Sequence, residues 1–204
     1  MEEKTFVDDI NRSVYDIKNE ENDSYRIKQG LTPEIVEKIS EEKHDPAWMR
    51  EFRLKSLEIY NNMQVPDWGP SIDGLNMDNI ATYVRANTNM KGDWKDVPEE
   101  IKDTFDRLGI PKAERESLAG VGAQYDSELV YHNVRKEVAD QGVVYTDMES
   151  ALTGEYADMV HEHFMKLITP QDHKFAALHG AVWSGGSFVY VPKGCLLYTS
   201  DAAD

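Results

Sequence analysis

Cysteine is nearly missing from this chain: a single thiol, Cys195, stands among 204 residues. An internal disulfide framework is therefore excluded, as are a thiolate metal site and a cysteine nucleophile upstream of that position. Positive charge is scarce as well, with 22 Lys and Arg against 38 Asp and Glu and a formal net charge of −16. A nonspecific binder of nucleic acid or anionic membrane must neutralise phosphates, and this balance argues against both. Acidity of this degree is more simply a means of staying soluble. Long apolar runs are wanting too. None approaches the roughly 20 residues a membrane-spanning helix needs, and the acidic start Met1-Glu2-Glu3 does not read as a signal peptide. These absences predict a soluble, cytoplasmic protein.

What is present reads as an α+β chain with a mostly helical amino-terminal region. Residues 1–29 are polar and mixed in charge, and they predict an extended or partly disordered arm. Thr32-Pro33-Glu34 then opens a helix, with Thr32 as cap, Pro33 in the first turn and Ile35, Val36 and Ile39 as a short apolar face. Asp45-Pro46 starts a second helix, with Asp45 as its expected cap. Its stripe of Trp48, Met49, Phe52, Ile59, Tyr60 and Met63 marks a core face, and Leu54 and Leu57 opposite suggest another contact surface. Residues 64–97 are rich in turn chemistry, and Asn79 to Val84 suit either a short strand or a helix. Pro98 opens a helix through Ile101, Phe105 and Leu108 that Gly109 closes, and Pro111 begins another turn of helix to Leu118. Leu129-Val130-Tyr131, a short helix through Val134 and Val138, and Val143-Val144-Tyr145 suggest a strand–helix–strand unit. Thr146 and Glu149 are spaced as a capping box, and Tyr156 to Ile168 predicts a longer amphipathic helix stopped by Pro170.

Few residues are spaced for chemistry. His161-Glu162-His163 lacks the i, i+4 histidine pair of a zinc-protease helix, because position 165 is Met165. On a helix, histidines two apart point about 200° away from each other, so two ring-bearing residues bordering an apolar face is the simpler account. His173 and His179 could join them in space, though no spacing demands it. His44 and His132 stand alone, as capping or hydrogen-bonding groups. Ser184-Gly185-Gly186-Ser187 precedes a strand instead of following one, and Ser187 is followed by Phe188, so neither a phosphate loop nor a nucleophile elbow fits. The glycines read as a backbone corner. Glu20, Glu21 and Asp23, like Glu99 and Glu100, are solvated faces or helix starts. The residues thus nominate no catalytic, cofactor-binding or metal-binding side chain.

The segment from Lys174 to Gly194 organises the rest. It reads as a short apolar helix or turn, the glycine corner, and a strand, Phe188 to Val191, apolar enough to be buried on both faces. Such a strand needs neighbours, yet only Cys195 to Asp204 follows. That stretch can be back-translated into the adapter end used in transposase-based library preparation. It is expected to be a sequencing read-through, and the chain a fragment.

Several stretches resemble the amino-terminal part of the SufB family, in order and at family spacing over residues 28–194. They are Gly30-Leu31-Thr32, His44 through Leu54, Asp96 through Pro111, Leu118 through Glu128, and Ala181 through Gly194. The resemblance implies a scaffold for iron–sulfur cluster assembly and not an enzyme. It also implies a helical and mixed region at 30–170, followed at 171–194 by the first strand of a truncated parallel β-helix. Its partners would be the ATPase SufC, the paralogue SufD and a sulfur donor system. The family's cluster-building residues lie in the β-helix and have no counterpart here, so no cofactor is expected on this fragment, although the full-length family implies an iron–sulfur cluster. A SufD-like paralogue is the nearest alternative. A small metal-dependent enzyme using His161, His163, His173 and His179 is an alternative from another class.

Overall fold

A computed structural model describes residues 23–69, 71–89, 91–109, 120–134 and 136–195. The expected helical turn at 111–118, the acidic pair Glu20-Glu21, most of the 1–29 arm and all but Cys195 of the 195–204 stretch lie outside the described residues. The end of the arm is a strand: β1 (Asp23–Arg26) pairs antiparallel with β2 (Val84–Ala86).

Two helices follow β1. In α1 (Pro33–Glu42) the Thr32 hydroxyl accepts the Ile35 amide at 3.4 Å and Pro33 occupies the first turn, as the sequence predicts. α2 (Ala47–Asn62) begins after Asp45-Pro46, but Pro46 is the cap residue and no side chain caps the helix. The Asp45 carboxylate is committed elsewhere. Met49, Arg53, Ser56 and Leu57 line the buried face of α2, while Trp48, Phe52, Ile59, Tyr60 and Met63 are only partly covered. Leu57 packs with Val36 and Ala181 against Leu54 and Tyr60, so it makes a second cluster, but on the face it shares with Met49 and not opposite it.

Between Met63 and β2 the chain is irregular apart from a 3-10 turn at Met77–Asn79. A second such turn, Trp94–Asp96, leads to α3 (Glu99–Arg107), which ends at Leu108 with Gly109 at φ +74°. This helix sits on a hairpin, β3 (Gly120–Tyr125) and β4 (Glu128–Val134), and the two share a core of Ile101, Val130 and Tyr131 with Trp94 and Phe105.

The predicted strand–helix–strand unit is present in order but not in pairing. Its helix is α4 (Lys136–Ala139), β4 pairs with β3, and β5 (Val144–Asp147) pairs with β6 (Ser187–Tyr190). The box of Thr146 and Glu149 does not form. Asp147 caps α5 (Met148–Thr153) by accepting the Ser150 amide at 2.8 Å, one residue later than predicted. α6 (Ala157–His163) is shorter than the expected helix, since Phe164 already leaves helical geometry and Met165 takes φ +47°. α7 (Lys174–Val182) crosses α2, and Trp183 with Met49, Leu152 and Val160 makes the core beneath the crossing.

Among the described residues there are three sheets, each two-stranded and antiparallel. This establishes the α+β class, whereas a parallel β-helix does not appear among the described residues. β6 is also not buried on both faces: Val189 is 53 % exposed, and one edge has no strand beside it among the described residues.

The α2–α7 crossing depends on a missing side chain. A Cβ at Gly180 would lie 2.6 Å from Ser56 Oγ and 3.0 Å from Ser56 Cβ. Gly180→Ala should therefore destabilise by about 1–3 kcal/mol through overpacking, although alanine is the better helix former. Adding Ser56→Gly should restore part of the loss in a thermal-melt double-mutant cycle. A gain in stability from Gly180→Ala alone would mean the two helices do not meet there.

Candidate functional site

The corner between α7 and β6 is held by side chains from several elements. Its chain reversal, Trp183-Ser184-Gly185-Gly186, carries Gly185 at φ +69° and Gly186 at φ +107°, a region where glycine alone is unstrained. The predicted backbone corner is thus observed. Two ionic groups hold it.

The first centres on Arg53 of α2. Its side chain is fully buried and that of Asp45 is 1 % exposed. Arg53 Nε donates to Asp45 Oδ2 at 2.6 Å, and Nη1 donates to the carbonyls of Trp183 at 2.8 Å and Ala181 at 3.4 Å. The guanidinium also lies 4.7 Å from the centre of the Trp183 ring. The indole Nε1 meets Met49 Sδ at 3.4 Å. A planar, permanently charged fork can serve a carboxylate, two carbonyls and an aromatic face together; lysine cannot.

The second centres on Lys43, just past α1, whose side chain is 4 % exposed. Its Nζ lies 2.8 Å from Glu149 Oε1 and 3.1 Å from Glu128 Oε2. Glu149 Oε1 also accepts the Gly185 amide at 2.8 Å, and Tyr83 Oη donates to Glu128. Burial first, and then the neighbouring Glu128, push the Tyr83 hydroxyl far above its usual pKa, so it remains a donor. A cavity of about 300 Å³ opens beside this group, lined among others by Glu42, Arg85 and His44. Lys43, Glu149 and Gly185 thereby tie α1 directly to the corner.

Sequence reasoning missed both groups. Lys43 carries no visible signal, because its partners are far away along the chain. Arg53 does carry one: a charge placed four residues from both Met49 and Leu57, on the face that is otherwise buried.

The histidines divide. His161 stacks on Trp48 with ring centres 4.3 Å apart. His163, His173 and His179 line one open cavity of about 520 Å³, but His173 Nδ1 accepts the Ala176 amide as a helix cap. Among the described residues no group of three His, Cys, Asp or Glu could hold a metal ion. His132 packs 4.7 Å from Tyr145, and burial lowers its pKa more than Asp147 raises it. His44 takes φ +54° at the end of α1 and donates its amide to the Glu41 carbonyl. Ser187 meets Tyr145 Oη at 3.3 Å, and among the described residues no histidine or carboxylate is bonded to it. Asp23 pairs with Arg26, and Glu99 and Glu100 fill the first turn of α3. No described helix is long and apolar enough to cross a membrane.

Among the described residues the site is a braced reversal leading into a strand with one unpaired edge. Residues 35–200 match the family model described as the SufBD protein N-terminal region, a match that runs past Gly194. The iron–sulfur cluster assembly protein SufB of Bacillus subtilis is 51 % identical over 191 residues, covering 94 % of this chain and 41 % of that protein. SufBD family iron–sulfur cluster assembly proteins of Staphylococcus haemolyticus and Staphylococcus aureus are 47 % and 46 % identical, each with the same two coverages. The chain thus spans well under half the length of these relatives.

Proposed function

We propose, since this chain belongs to the SufBD family, that its protein is a scaffold subunit for iron–sulfur cluster assembly and that this region carries the strand from which the scaffold is built. The observation that carries the proposal is the 51 % identity, over 94 % of the chain, to a protein described as SufB. Iron and sulfide are cargo here, not resident cofactors of the described residues.

The corner geometry supports a structural role for this region. β6 leaves a reversal fixed by Arg53 and Lys43, and its free edge and exposed Val189 and Val191 suit further strands laid beside and beneath it. Burying what is still exposed of each valine would contribute about 1 kcal/mol. In this account residues 1–29 are an arm, 30–170 the helical and mixed region, 171–194 the start of a parallel β-helix, and 195–204 adapter read-through. The partners would be the SufC ATPase, SufD and a sulfur donor system, in the cytoplasm. Cluster chemistry would belong to the later part of the protein, and this region would have no catalytic residue of its own.

The test uses the full-length protein. Anaerobic reconstitution with iron and a sulfur source should give protein-bound iron and acid-labile sulfide, and affinity purification should carry an ATPase along. Full-length protein that acquires neither iron nor sulfide, and purifies alone, overturns the proposal.

A further inference from the structure

We propose that the seam between the β3–β4 hairpin and the β5–β6 sheet is an acid-sensitive joint, closed while the His132 imidazole is neutral and released when the ring takes up a proton. Among the described residues the two sheets share no ladder, and they meet where β4 packs on β5. Gly122 and His132 are register partners in the hairpin. Against them stands Tyr145 of β5, its ring centre 4.7 Å from that of His132. Its hydroxyl comes so near Gly122 that a Cβ there would lie 2.9 Å away. The Ser187 hydroxyl of β6 donates to the same Tyr145 oxygen at 3.3 Å. One imidazole thus sits where all four strands converge.

The surroundings of the ring make the joint sensitive. His132 Nε2 is buried with no hydrogen-bond partner among the described residues. A neutral ring can leave that nitrogen bare, whereas an imidazolium carries a proton on both. A buried donor and a buried charge without partners are costly. From β5 the ring is faced by Tyr145 and Asp147, from β3 by Gly122, and the Lys91 carbonyl accepts its amide at 3.0 Å. Farther along the same seam Lys43 bridges Glu128 of the hairpin and Glu149 of α5. Asp147 is the anion whose field reaches the ring, but both its oxygens are engaged. Oδ1 accepts the Ser150 amide at 2.8 Å and Oδ2 the Thr146 hydroxyl at 3.4 Å. Burial therefore outweighs Asp147 and the Tyr145 main chain, and it holds the ring's pKa below that of a free histidine. A ring exposed by opening binds a proton more readily than the buried one. Closure is then at full strength above about pH 6.5, the ordinary histidine value, and weakens as pH falls below it toward the lowered one.

Release would reach the glycine corner. An imidazolium that draws Asp147 from the Ser150 amide uncaps α5, and the first turn of α5 is bonded to the reversal. Met148 donates its amide to the Gly186 carbonyl at 3.1 Å, and Glu149 accepts the Gly185 amide. The joint is a property of the described region and stands whether or not the protein assembles clusters.

The test is amide hydrogen exchange on the full-length protein at about pH 7.5 and about pH 5.5, each rate divided by the intrinsic rate at that pH, together with an NMR titration of the histidine rings. Protection at His132 and along Val144–Asp147 should fall by at least about fivefold at the lower pH. Val36 and Leu57, which pack in a different core, should keep theirs. His132→Gln, which cannot take up the proton, should remove most of the difference. The His132 ring should titrate below the ordinary value of about 6.5. Equal loss in wild type and His132→Gln places the sensitivity on the carboxylates around Lys43 and overturns the inference. So does a loss shared by Val36 and Leu57, or no loss at all. A His132 ring that titrates at or above about 6.5 overturns it even if the variant fails to fold.

Discussion

Asp45→Ala should destabilise the protein by about 3–5 kcal/mol, among the largest effects a single substitution can have here. The loss is not the value of one hydrogen bond. It follows from leaving the Arg53 guanidinium, fully buried, with no anion beside it. Arg53 would keep its bonds to the Trp183 and Ala181 carbonyls, but these are dipoles and do not neutralise a charge. The pair is itself incompletely satisfied, since Asp45 Oδ1 and Arg53 Nη2 are buried without a hydrogen-bond partner among the described residues. Removing both charges should therefore harm less than removing either. The double variant Asp45→Leu, Arg53→Met is expected to lie closer to wild type than Asp45→Ala in urea midpoint at unchanged slope. If the double variant is the least stable of the set, the pair contributes attraction beyond its desolvation cost, and the role assigned here to burial is wrong.

How far the chain's own letters reveal this architecture depends on how local each cause is. Thr32-Pro33 and Leu108-Gly109 act within one helical turn, and both ends form where those residues place them. Competition between neighbours is harder to read. Asp45 stands where a cap would, but Arg53 claims its carboxylate; Thr146 yields the cap of α5 to Asp147, and Glu149 turns to Lys43 and Gly185. Asp45 and Glu149 each have a local option and a more distant one, and the distant one wins, whereas Thr146 simply loses to its neighbour. β3 was hidden for another reason. Glycine is a poor strand former, yet Gly120 and Gly122 pair in the ladder, and a Cβ on Gly122 would lie only 2.9 Å from the Tyr145 hydroxyl. The pairing of β5 with β6 spans some forty residues and has no short-range signature. The shared histidine cavity was half legible: the possibility that His163, His173 and His179 share a region was visible, but their meeting on one cavity depends on where α6 stops. It stops at a left-handed Met165 that no helical periodicity marks.

Trp183→Ala should cost about 3–5 kcal/mol, the range for emptying a buried tryptophan site, and its damage should be uneven across the molecule. The indole sits at the centre of the first of the two groups that fix the corner: it lies under the Arg53 guanidinium, meets Met49 Sδ, and packs 5.1 Å from Phe164. Its backbone carbonyl also accepts from Arg53 at 2.8 Å. The β3–β4 hairpin belongs to a separate core built on Ile101, Val130 and Tyr131. Amide hydrogen exchange should therefore accelerate at Gly185 and along Ser187–Tyr190, while the slowest amides of β3 and β4 change little. Trp183→Phe, which keeps a ring beneath the cation but loses the indole donor, should restore most of the protection. Equal acceleration in β4 and β6 would show that the two cores open as one unit. Unchanged exchange at β6 would show that the strand is held by its ladder to β5 and not by the braced corner, and the architectural role assigned to Arg53 and Trp183 would fail with it.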